Sequence, residues 1–483
     1  MNLLSVASEI HPLVKTGGLA DVAGALPGAL GEHGVAVRTL VPGYPAVMAA
    51  CRKARAVATH ANLFGGKARV LAASAAGLDL LVLDAPHLFD RPGGPYSDAA
   101  GRDWPDNWRR FAALAKAGAE IALGGLKDWQ PDVVQAHDWQ AGLLPAYLAF
   151  ADRPAPPSIM TIHNLAFQGR FGAEIFGELG LPAQAMTVDG VEYYGGVGFL
   201  KAGLQSADAI VTVSPGYARE IRRPEFGMGL DGLLTGRADT LHGILNGIDD
   251  AIWDPQTDPM LKANYGPRGL AKRARNRKAI EKRFGLDADD GPLVTVVSRL
   301  TWQKGMDLLA ERADRIAAAG VRLAILGAGD HALEGAFLAA VARNRGRIGV
   351  VVGYDEALSH LLQGGADAIL IPSRFEPCGL TQLYGLRYGC VPLGARTGGL
   401  ADTIIDANDA AIAAGAATGL LFDPGSADAM VDAVLRMKEL HADRDVWAAI
   451  QRAGMGADLS WRRRAAQYAS LYASLAKDRP DPS

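Results

Sequence analysis

Residues 293–326 read LVTVVSRLTWQKGMDLLAERADRIAAAGVRLAIL. Leu293–Val297 and Leu323–Leu326 are short apolar runs typical of buried strands, and Met306–Ala319 between them has apolar residues at helical spacing. A strand, a helix and a strand in this order predict a parallel βαβ unit. The loop that follows the first strand, Ser298–Gly305, then lies at the carboxyl end of the sheet, where open α/β folds bind their ligands.

The same alternation extends over most of the chain in two series of predicted strands. The first series comprises Leu3–Ala7, Val35–Val41, Leu78–Leu83, Val133–Gln135, Ile159–Ile162 and Ala209–Val213. The second comprises Leu293–Val297, Leu323–Leu326, Ile348–Val352, Ala368–Ile371 and Gly419–Phe422. Helices are predicted between them, for example over Trp108–Leu123 and Ala427–Leu440. Two series predict two doubly wound parallel-sheet domains, residues 1–243 and 244–460, with a ligand site in the cleft between them.

Composition excludes several other classes of protein. The chain of 483 residues has a net charge of −3 and 49% hydrophobic residues, so no broad positive field for nucleic acid is expected. The apolar runs are far too short to span a membrane, and the N-terminus does not resemble a signal peptide. Three cysteines without metal or disulfide spacing predict reduced thiols in the cytoplasm.

Two polar segments are interpreted as solvent-exposed. The basic run Lys272–Arg283 is read as a solvated helix face, although such a run also suits a polyanion site. The polar tail Lys477–Ser483 is predicted to be frayed.

The first candidate motif is Lys15-Thr16-Gly17-Gly18-Leu19-Ala20-Asp21-Val22, between the first strand and a helix. Paired glycines let backbone N–H groups approach a ligand closely, and a helix N-terminus favours an anion. Lys15 adds a mobile positive charge. The pattern is neither the GxGxxG nor the Walker motif, which argues against a Rossmann dehydrogenase.

Two further motifs follow strands of the second series. Arg299 and Lys304 are five positions apart in one loop, and a guanidinium and an ammonium together suit a diphosphate. The segment from Arg374 to Gly385 carries Glu376, and a helix is expected to begin near Gly379, so that the amides of Gly379–Thr381 face the same site. A carboxylate beside an anion site fits a ligand that also has hydroxyls or a developing cation, as a sugar diphosphate has.

The remaining candidates follow strands of the first series. His137-Asp138-Trp139-Gln140 and Thr161-Ile162-His163-Asn164 place polar side chains at strand ends, without the HxH or HExxH spacing that a metal site favours. No metal and no cofactor is predicted. Cys378, next to Glu376, is interpreted as a packed thiol rather than a nucleophile.

These motifs, in this order, resemble the bacterial glycogen synthases and the related plant starch synthases over essentially the whole chain. The Lys-Thr-Gly-Gly-Leu opening and the Glu-Pro-Cys-Gly-Leu-Thr loop are the most specific of them. The resemblance implies a GT-B fold of two Rossmann-like domains, with a last helix at 461–478 packed back on the first. It also implies retaining transfer of glucose from ADP-α-glucose to the non-reducing end of an α-1,4-glucan, either glycogen or a maltooligosaccharide.

The resemblance also implies roles for individual residues. It implies that the donor diphosphate is contacted by Lys15, Arg299 and Lys304. It also implies that Glu376 contacts the donor sugar and that His163 lies beside the glucose. The remaining donor-binding positions it implies are Gly17, Gly18, Asp21, Gly379, Leu380 and Thr381. The positions it implies on the sugar and acceptor side are Asp138, Tyr96 and Asn164.

Two departures and several alternatives stay open. Many related enzymes carry a second glutamate where this chain has Tyr384, and some members have His where it has Gln140. A GT-B enzyme with a small acceptor, of the trehalose-phosphate or sucrose type, and a non-catalytic glucan-binding protein are the alternative functions. The residues do not decide between ADP and UDP, or between a front-face and a covalent mechanism.

Overall fold

A computed structural model describes residues 1–477 and divides the chain into two compact units. The N-terminal unit comprises Met1–Asn246 together with the C-terminal segment from Trp461, and the C-terminal unit is Gly247–Ser460. The division therefore falls after Asn246, whereas the sequence placed it before residue 244. The predicted last helix ends at residue 478 and the predicted frayed tail at Ser483. Residues 478–483 lie outside the described residues.

The N-terminal unit is built on a mostly parallel sheet. Its strands are β1 (Asn2–Val6), β2 (Ala36–Pro42), β3 (Arg55–His60), β4 (Ala68–Ala75), β5 (Leu78–Asp84), β6 (Val133–His137), β7 (Ser158–Ile162), β8 (Arg170–Gly172), β9 (Glu192–Tyr193), β10 (Gly196–Gly198), β11 (Ala209–Thr212) and β12 (Leu241–Gly243). The main sheet has the order β12-β11-β7-β6-β1-β2-β5-β4-β3, and β8, β10 and β9 form a small antiparallel sheet. All six strands predicted in this unit are present, with small shifts at their ends.

Helices cover this sheet. Those of the N-terminal unit are α1 (Gly18–Gly31), α2 (Pro45–Ala50), α3 (Pro86–Phe89), α4 (Asn107–Glu120), α5 (Asp138–Ala141), α6 (Leu143–Ala149), α7 (Phe199–Ser206), α8 (Pro215–Glu220), α9 (Pro224–Gly227) and α10 (Asp231–Gly236). The helix predicted to continue to Leu123 ends as α4 at Glu120 and passes into a π-helical turn over Ile121–Gly125.

The C-terminal unit is a parallel sheet with the strand order of a doubly wound fold. Its strands are β13 (Leu293–Val297), β14 (Arg322–Gly327), β15 (Ile348–Val352), β16 (Ala368–Ile371), β17 (Val391–Ala395) and β18 (Leu420–Phe422), in the order β15-β14-β13-β16-β17-β18. Its helices are α11 (Arg273–Phe284), α12 (Met306–Ala318), α13 (His331–Arg343), α14 (Glu356–Gly365), α15 (Thr381–Tyr388), α16 (Gly398–Thr403), α17 (Asp409–Ala413), α18 (Ala427–Ala442) and α19 (Arg444–Met455). The chain order reverses between β13 and β16, so their carboxyl ends form the switch point at which such sheets bind ligands.

The last helix, α20 (Trp461–Lys477), belongs to the N-terminal unit. Its buried residues Trp461, Tyr468 and Tyr472 pack in one apolar cluster with Val22 and Leu26 of α1. The Tyr472 hydroxyl donates a 2.6 Å hydrogen bond to the Gln135 amide oxygen in β6. The helix is therefore held both by apolar burial and by a buried polar contact to the central sheet.

The basic segment at α11 is not simply a solvated face. Arg273 is buried, and its guanidinium donates to backbone carbonyls of Tyr388 and Ala366. Arg277 donates a 2.7 Å bond to the Asp367 carboxylate at the start of β16. The prediction of a solvated face holds for the exposed residues Lys272, Arg275, Lys278, Lys282 and Arg283, but two of the arginines tie the helix to the sheet.

Candidate active site

The loop after β1 is held by a carboxylate that sequence reasoning missed. Glu9 is 3% exposed and accepts hydrogen bonds from the backbone N–H and the hydroxyl of Thr16. It also accepts a longer bond, 3.3 Å, from the Gly17 N–H. The Lys-Thr-Gly-Gly segment is thus folded around a carboxylate of its own chain, and the Gly17 N–H expected to face a ligand donates to Glu9.

The charge of Lys15 is also matched within the motif. Its ammonium lies 2.7 Å from the Asp21 carboxylate in the first turn of α1, with both side chains partly exposed. Helix α1 begins at Gly18, and Gly17 at its N-cap provides no side-chain cap. The predicted residues Lys15, Gly17, Gly18 and Asp21 therefore form one loop-and-helix-start structure, in which Lys15 is ion-paired rather than free.

Tyr96 joins this loop from far along the chain. Its hydroxyl donates to the Glu9 carboxylate and lies 2.8 Å from the Ser8 hydroxyl. Burial, together with the nearby negative charge of Glu9, raises the pKa of Tyr96 well above its usual value. Tyr96 is therefore a neutral hydrogen-bonding group fixed against the first motif.

The sequence predicted Asp138 and His163 at strand ends, and the structure brings them together because β6 and β7 are neighbouring parallel strands. The Asp138 Oδ1 atom accepts a 2.7 Å bond from the His163 backbone N–H. Asp138 has a φ of 53°, in the left-handed region that non-glycine residues rarely occupy. Asn164 follows, and its side-chain oxygen accepts from the Ala166 N–H, which shapes the loop.

The carboxyl group of Asp138 titrates near neutrality. Burial raises its pKa to about 7, opposing the lowering effect of the hydrogen bonds from the His163 and Asn164 backbones, and the charge of Glu9 raises it further. The imidazole of His163 is buried and has a pKa well below its usual value, so it is neutral at ordinary pH. His163 therefore offers hydrogen bonds without charge, whereas the charge of Asp138 changes with pH near neutrality.

In the C-terminal unit, the loops after β13 and β16 bring Lys304 and Glu376 into contact. The Lys304 ammonium lies 2.8 and 2.7 Å from the two carboxylate oxygens of Glu376. The Ser373 hydroxyl, another residue that sequence reasoning missed, donates a 2.8 Å bond to the same carboxylate. Glu376 is 6% exposed, so its charge is compensated by one cation and one hydroxyl.

Arg299 and the start of α15 lie in the same two loops but keep their donors available. Arg299 is exposed, and its guanidinium contacts no acceptor among the described residues. Likewise, within residues 1–477, the N–H groups of Gly379, Leu380 and Thr381 donate to no protein acceptor. The helix begins at Thr381, slightly later than predicted. A cation and a helix start with free N–H groups form an arrangement suited to an anion.

Two glycines allow the loops to approach one another. Gly305 has a φ of +67°, and a Cβ atom there would clash with the Pro372 carbonyl oxygen. Gly398 has a φ of +44°, and a Cβ atom there would clash with the Glu376 carbonyl oxygen. A side chain at Gly305 would push the loop that carries Lys304 away from Pro372, and one at Gly398 would push the start of α16 away from the Glu376 backbone.

Cys378, which lies in the chain between Glu376 and α15, is buried, with 4% of it exposed. Residues 1–477 contain no group of three or more His, Cys, Asp or Glu side chains arranged to hold a metal ion. No helix among those residues is both long enough and apolar enough to cross a bilayer.

Comparisons with known proteins show the family to which the chain belongs. Residues 2–236 match the family described as starch synthase catalytic domain, and residues 277–453 match glycosyl transferases group 1. The glycogen synthase of Mesorhizobium japonicum is 65% identical and covers 99% of this chain and 100% of its own length. Glycogen synthase 1 of Rhizobium meliloti is 62% identical, covering 98% of this chain and 99% of its own length.

A solved structure is also similar. The catalytic domain of starch synthase IV from Arabidopsis thaliana, bound to ADP and acarbose, is 30% identical, with a TM-score of 0.89. The similarity covers 98% of this chain and 99% of that one. Two Rossmann-like units with polar loops at their strand ends thus define a glycosyltransferase of the GT-B fold. More specifically, the chain belongs to the glycogen synthase family, which confirms the fold class and family predicted from the sequence.

Proposed function

We propose that the enzyme transfers glucose from ADP-α-glucose to the 4-hydroxyl at the non-reducing end of an α-1,4-glucan, with retention of configuration. The observation that carries the proposal is the joining of Lys304, Glu376 and Ser373 beside the free N–H groups at the start of α15. Such a set offers positive charge and dipoles to a diphosphate and a carboxylate to a sugar. Full-length similarity to glycogen synthases supports the glucan acceptor.

In the proposed reaction, the bond between glucose C1 and the diphosphate oxygen breaks, and a bond from C1 to the acceptor oxygen forms. The proton of the acceptor hydroxyl passes to the departing diphosphate of ADP. Negative charge grows on the diphosphate, where Arg299, Lys304 and the amides of Gly379–Thr381 would stabilise it. Positive charge grows at C1, where the Glu376 carboxylate would stabilise it.

Lys304 would change partners in this scheme. In the structure its ammonium faces the Glu376 carboxylate, so the lysine compensates the negative charge of Glu376 until an anion binds. A bound diphosphate would share the lysine with Glu376, whose second partner, Ser373, keeps the carboxylate in place. The pair would thus keep both charges compensated before the donor binds.

The N-terminal unit would supply one cation, Lys15, and several hydrogen-bonding groups. Lys15 would reach the donor diphosphate once it exchanges Asp21 for that anion. His163 would lie beside the glucose, with Asp138, Tyr96 and Asn164 on the sugar and acceptor side. The low basicity of His163 supports a hydrogen-bonding rather than a proton-accepting role.

We also propose a cytoplasmic location. The three cysteines, Cys51, Cys378 and Cys390, are buried thiols that form no disulfide, which suits a reducing compartment.

The test is a transfer assay with the purified full chain, using labelled ADP-glucose or UDP-glucose and maltooligosaccharide, glucose 6-phosphate or fructose as acceptors. We expect lengthened maltooligosaccharides that an α-glucosidase degrades back to labelled glucose, with ADP-glucose the better donor. Label only in a disaccharide or its phosphate would instead support the small-acceptor alternative. Glucan binding without transfer from either donor would support the non-catalytic one.

A further inference from the structure

A line of three polar side chains begins at His163 in the N-terminal unit and continues through His137 to Ser5. The His163 Nε2 atom lies 2.9 Å from His137 Nδ1, and His137 Nε2 lies 3.1 Å from the Ser5 hydroxyl oxygen. The side chains are 9%, 1% and 5% exposed in the order His163, His137 and Ser5. The chain of contacts therefore runs from the candidate sugar site into the sheet, through β7, β6 and β1.

Both imidazoles are neutral and so carry one N–H each. Burial lowers the pKa of His137 to about 4, and burial together with the neighbouring His137 lowers that of His163 well below its usual value. Only one proton can lie between His137 Nδ1 and His163 Nε2. Two arrangements satisfy that contact, and they give His163 opposite tautomers.

Ser5 decides between the two arrangements. If His137 Nε2 carries the proton, Ser5 accepts its hydrogen bond, and the buried O–H of Ser5 then has no acceptor among the described residues, which is unfavourable. If Ser5 donates instead, every proton in the line is used: Ser5 donates to His137, and His137 Nδ1–H donates to His163 Nε2. The cavity beside Ser5, about 10 Å³, is at the lower limit for one water molecule, so a water that accepts from Ser5 is the case that a reversed ¹⁵N pattern in the test below would report.

We propose that Ser5 and His137 fix the His163 imidazole as its Nδ1–H tautomer, so that His163 presents a hydrogen-bond donor, and not a lone pair, to the bound ligand. His137 is then a positioning residue that acts through His163. The Asp138 carboxylate fixes the backbone of His163 by accepting its N–H at 2.7 Å, and the His137 contact fixes the ring. The effect on turnover rests on the proposed function, whereas the tautomer itself does not.

The tautomer of His163 decides which hydrogen bond a sugar hydroxyl can make with its Nδ1 atom. A sugar hydroxyl oxygen can accept the Nδ1–H of His163 while its own proton goes to another acceptor. In the other tautomer, the ring would present an acceptor at the same place and would require the hydroxyl to turn. A donor at this position also cannot take up a proton from the acceptor sugar, so the proposal excludes His163 as a base through Nδ1.

The first test needs no substrate. The full chain is labelled with ¹⁵N in its histidines, and the ring nitrogens of His163 and His137 are assigned by comparison with the His163→Gln and His137→Asn variants. We expect a pyrrole-type signal for His163 Nδ1 and a pyridine-type signal for His163 Nε2 between pH 7 and 8. The reverse pattern in the wild-type protein would overturn the proposal whether or not the chain makes glucan.

The second test uses a matched pair of variants at His137. In His137→Asn the amide nitrogen lies close to the position of Nδ1 and can still donate to His163. In His137→Gln the amide lies close to the position of Nε2 and reaches only Ser5. We expect kcat within about threefold of wild type for Asn and roughly tenfold lower for Gln, the size of one hydrogen bond. The donor KM should change little, and the His163 tautomer should persist only in His137→Asn.

The outcomes separate the two proposals. An inactive wild-type enzyme with His163 as the Nδ1–H tautomer contradicts the proposed function and leaves the tautomer assignment supported. Equal kcat in the two variants, with the tautomer unchanged in both, contradicts the positioning role of His137. Equal loss of folded protein in both variants leaves the wild-type ¹⁵N spectrum to decide.

Discussion

Each unit of the molecule contains a buried glutamate that holds a candidate ligand loop, but the two carboxylates are compensated differently. Glu9 in the N-terminal unit accepts from neutral donors: the N–H and hydroxyl of Thr16, the Gly17 N–H and the Tyr96 hydroxyl. Glu376 in the C-terminal unit faces the Lys304 ammonium and accepts from the Ser373 hydroxyl. They are 3% and 6% exposed, so burial alone does not distinguish them.

This difference distinguishes Glu9, a carboxylate that shapes a loop, from Glu376, a carboxylate that can contact a ligand. Backbone N–H groups cannot leave Glu9 without refolding the loop that carries them. A single lysine on a flexible stem can turn from Glu376 toward a bound anion. The comparison therefore predicts that changes at Glu376 affect the chemical step, whereas changes at Glu9 affect the loop and the binding of the donor.

The largest effect is expected at Glu376. Glu376→Ala should lower kcat at least about 10²-fold because stabilisation of charge in the transition state is lost. Thermal unfolding should change little, since Lys304 is partly exposed and can be solvated. Glu376→Gln, which keeps the volume, and the exposed Glu439→Gln are the matched controls. Near-normal turnover of folded Glu376→Ala would remove this residue from the chemistry and remove the contrast with Glu9.

The next effect concerns Asp138, whose pKa of about 7 depends partly on the charge of Glu9. A carboxyl group with a raised pKa in the folded state adds stability below its unfolded value near 3.8, and that stability is lost as the pH rises to about 7. Asp138→Asn keeps an oxygen acceptor for the His163 N–H and removes this loss. The variant should therefore gain stability relative to wild type as the pH rises from about 4 to about 7, by on the order of 1 kcal/mol per pH unit.

Urea unfolding of both proteins at several pH values measures this difference. The buried histidines have the opposite dependence, because the low pKa of His137 makes the folded state lose stability as the pH falls from about 6.5 to 4. That contribution is common to both proteins and cancels in the comparison. A difference that stays constant across this range would mean that Asp138 is ionised throughout.

A smaller effect is expected at Glu9 itself. Glu9→Gln keeps one oxygen acceptor but adds an N–H₂ group where Thr16 and Tyr96 also donate, so the loop should loosen. We expect the donor KM to rise roughly tenfold, with a smaller change in kcat, because a binding segment is disordered rather than the reacting centre. The exposed Glu32→Gln is a control on the same unit.

The same variant tests the electrostatic link to Asp138. Without the Glu9 charge, the pKa of Asp138 should fall, which a ¹³C-carboxyl titration would measure directly. A larger loss of kcat than that of Glu376→Ala would mean that Glu9, too, acts in the chemical step and that the comparison is wrong.

Sequence patterns predicted much of this arrangement because buried strands and amphipathic helices leave local signals in the chain. Lys304 and Glu376 are 72 residues apart, yet they meet because β13 and β16 are neighbouring parallel strands whose carboxyl ends lie together. The antiparallel pair β3 and β4 was missed because alanines and polar residues predominate in both, and alanine is a weak strand former.

Other parts of the site had no pattern to find. Glu9 is a single acidic residue in no motif, and its partner Tyr96 is 87 positions away. A carboxylate just beyond β1 was the only signal, and such positions recur at every strand end. The buried Arg273 was missed because the basic run around it has almost no apolar face, so charge alone could not distinguish its inner side.

The smallest effect is expected at Cys378, which shares its loop with Glu376. Cys378 is buried. Its backbone oxygen accepts a 2.8 Å hydrogen bond from the Gln382 side-chain amide, and this bond does not depend on the cysteine side chain. Cys378→Ser should therefore retain most of the wild-type kcat, with a small loss of stability from the buried hydroxyl. Cys390→Ser is the matched control, since that thiol is also buried in the C-terminal unit and burial raises its pKa to about 12. Both variants are compared in the transfer assay and in thermal unfolding. If Cys378→Ser abolishes transfer while its unfolding temperature matches that of Cys390→Ser, the thiol and not the carboxylate is the reacting group of this loop, and the contrast between Glu376 and Glu9 loses its chemical meaning.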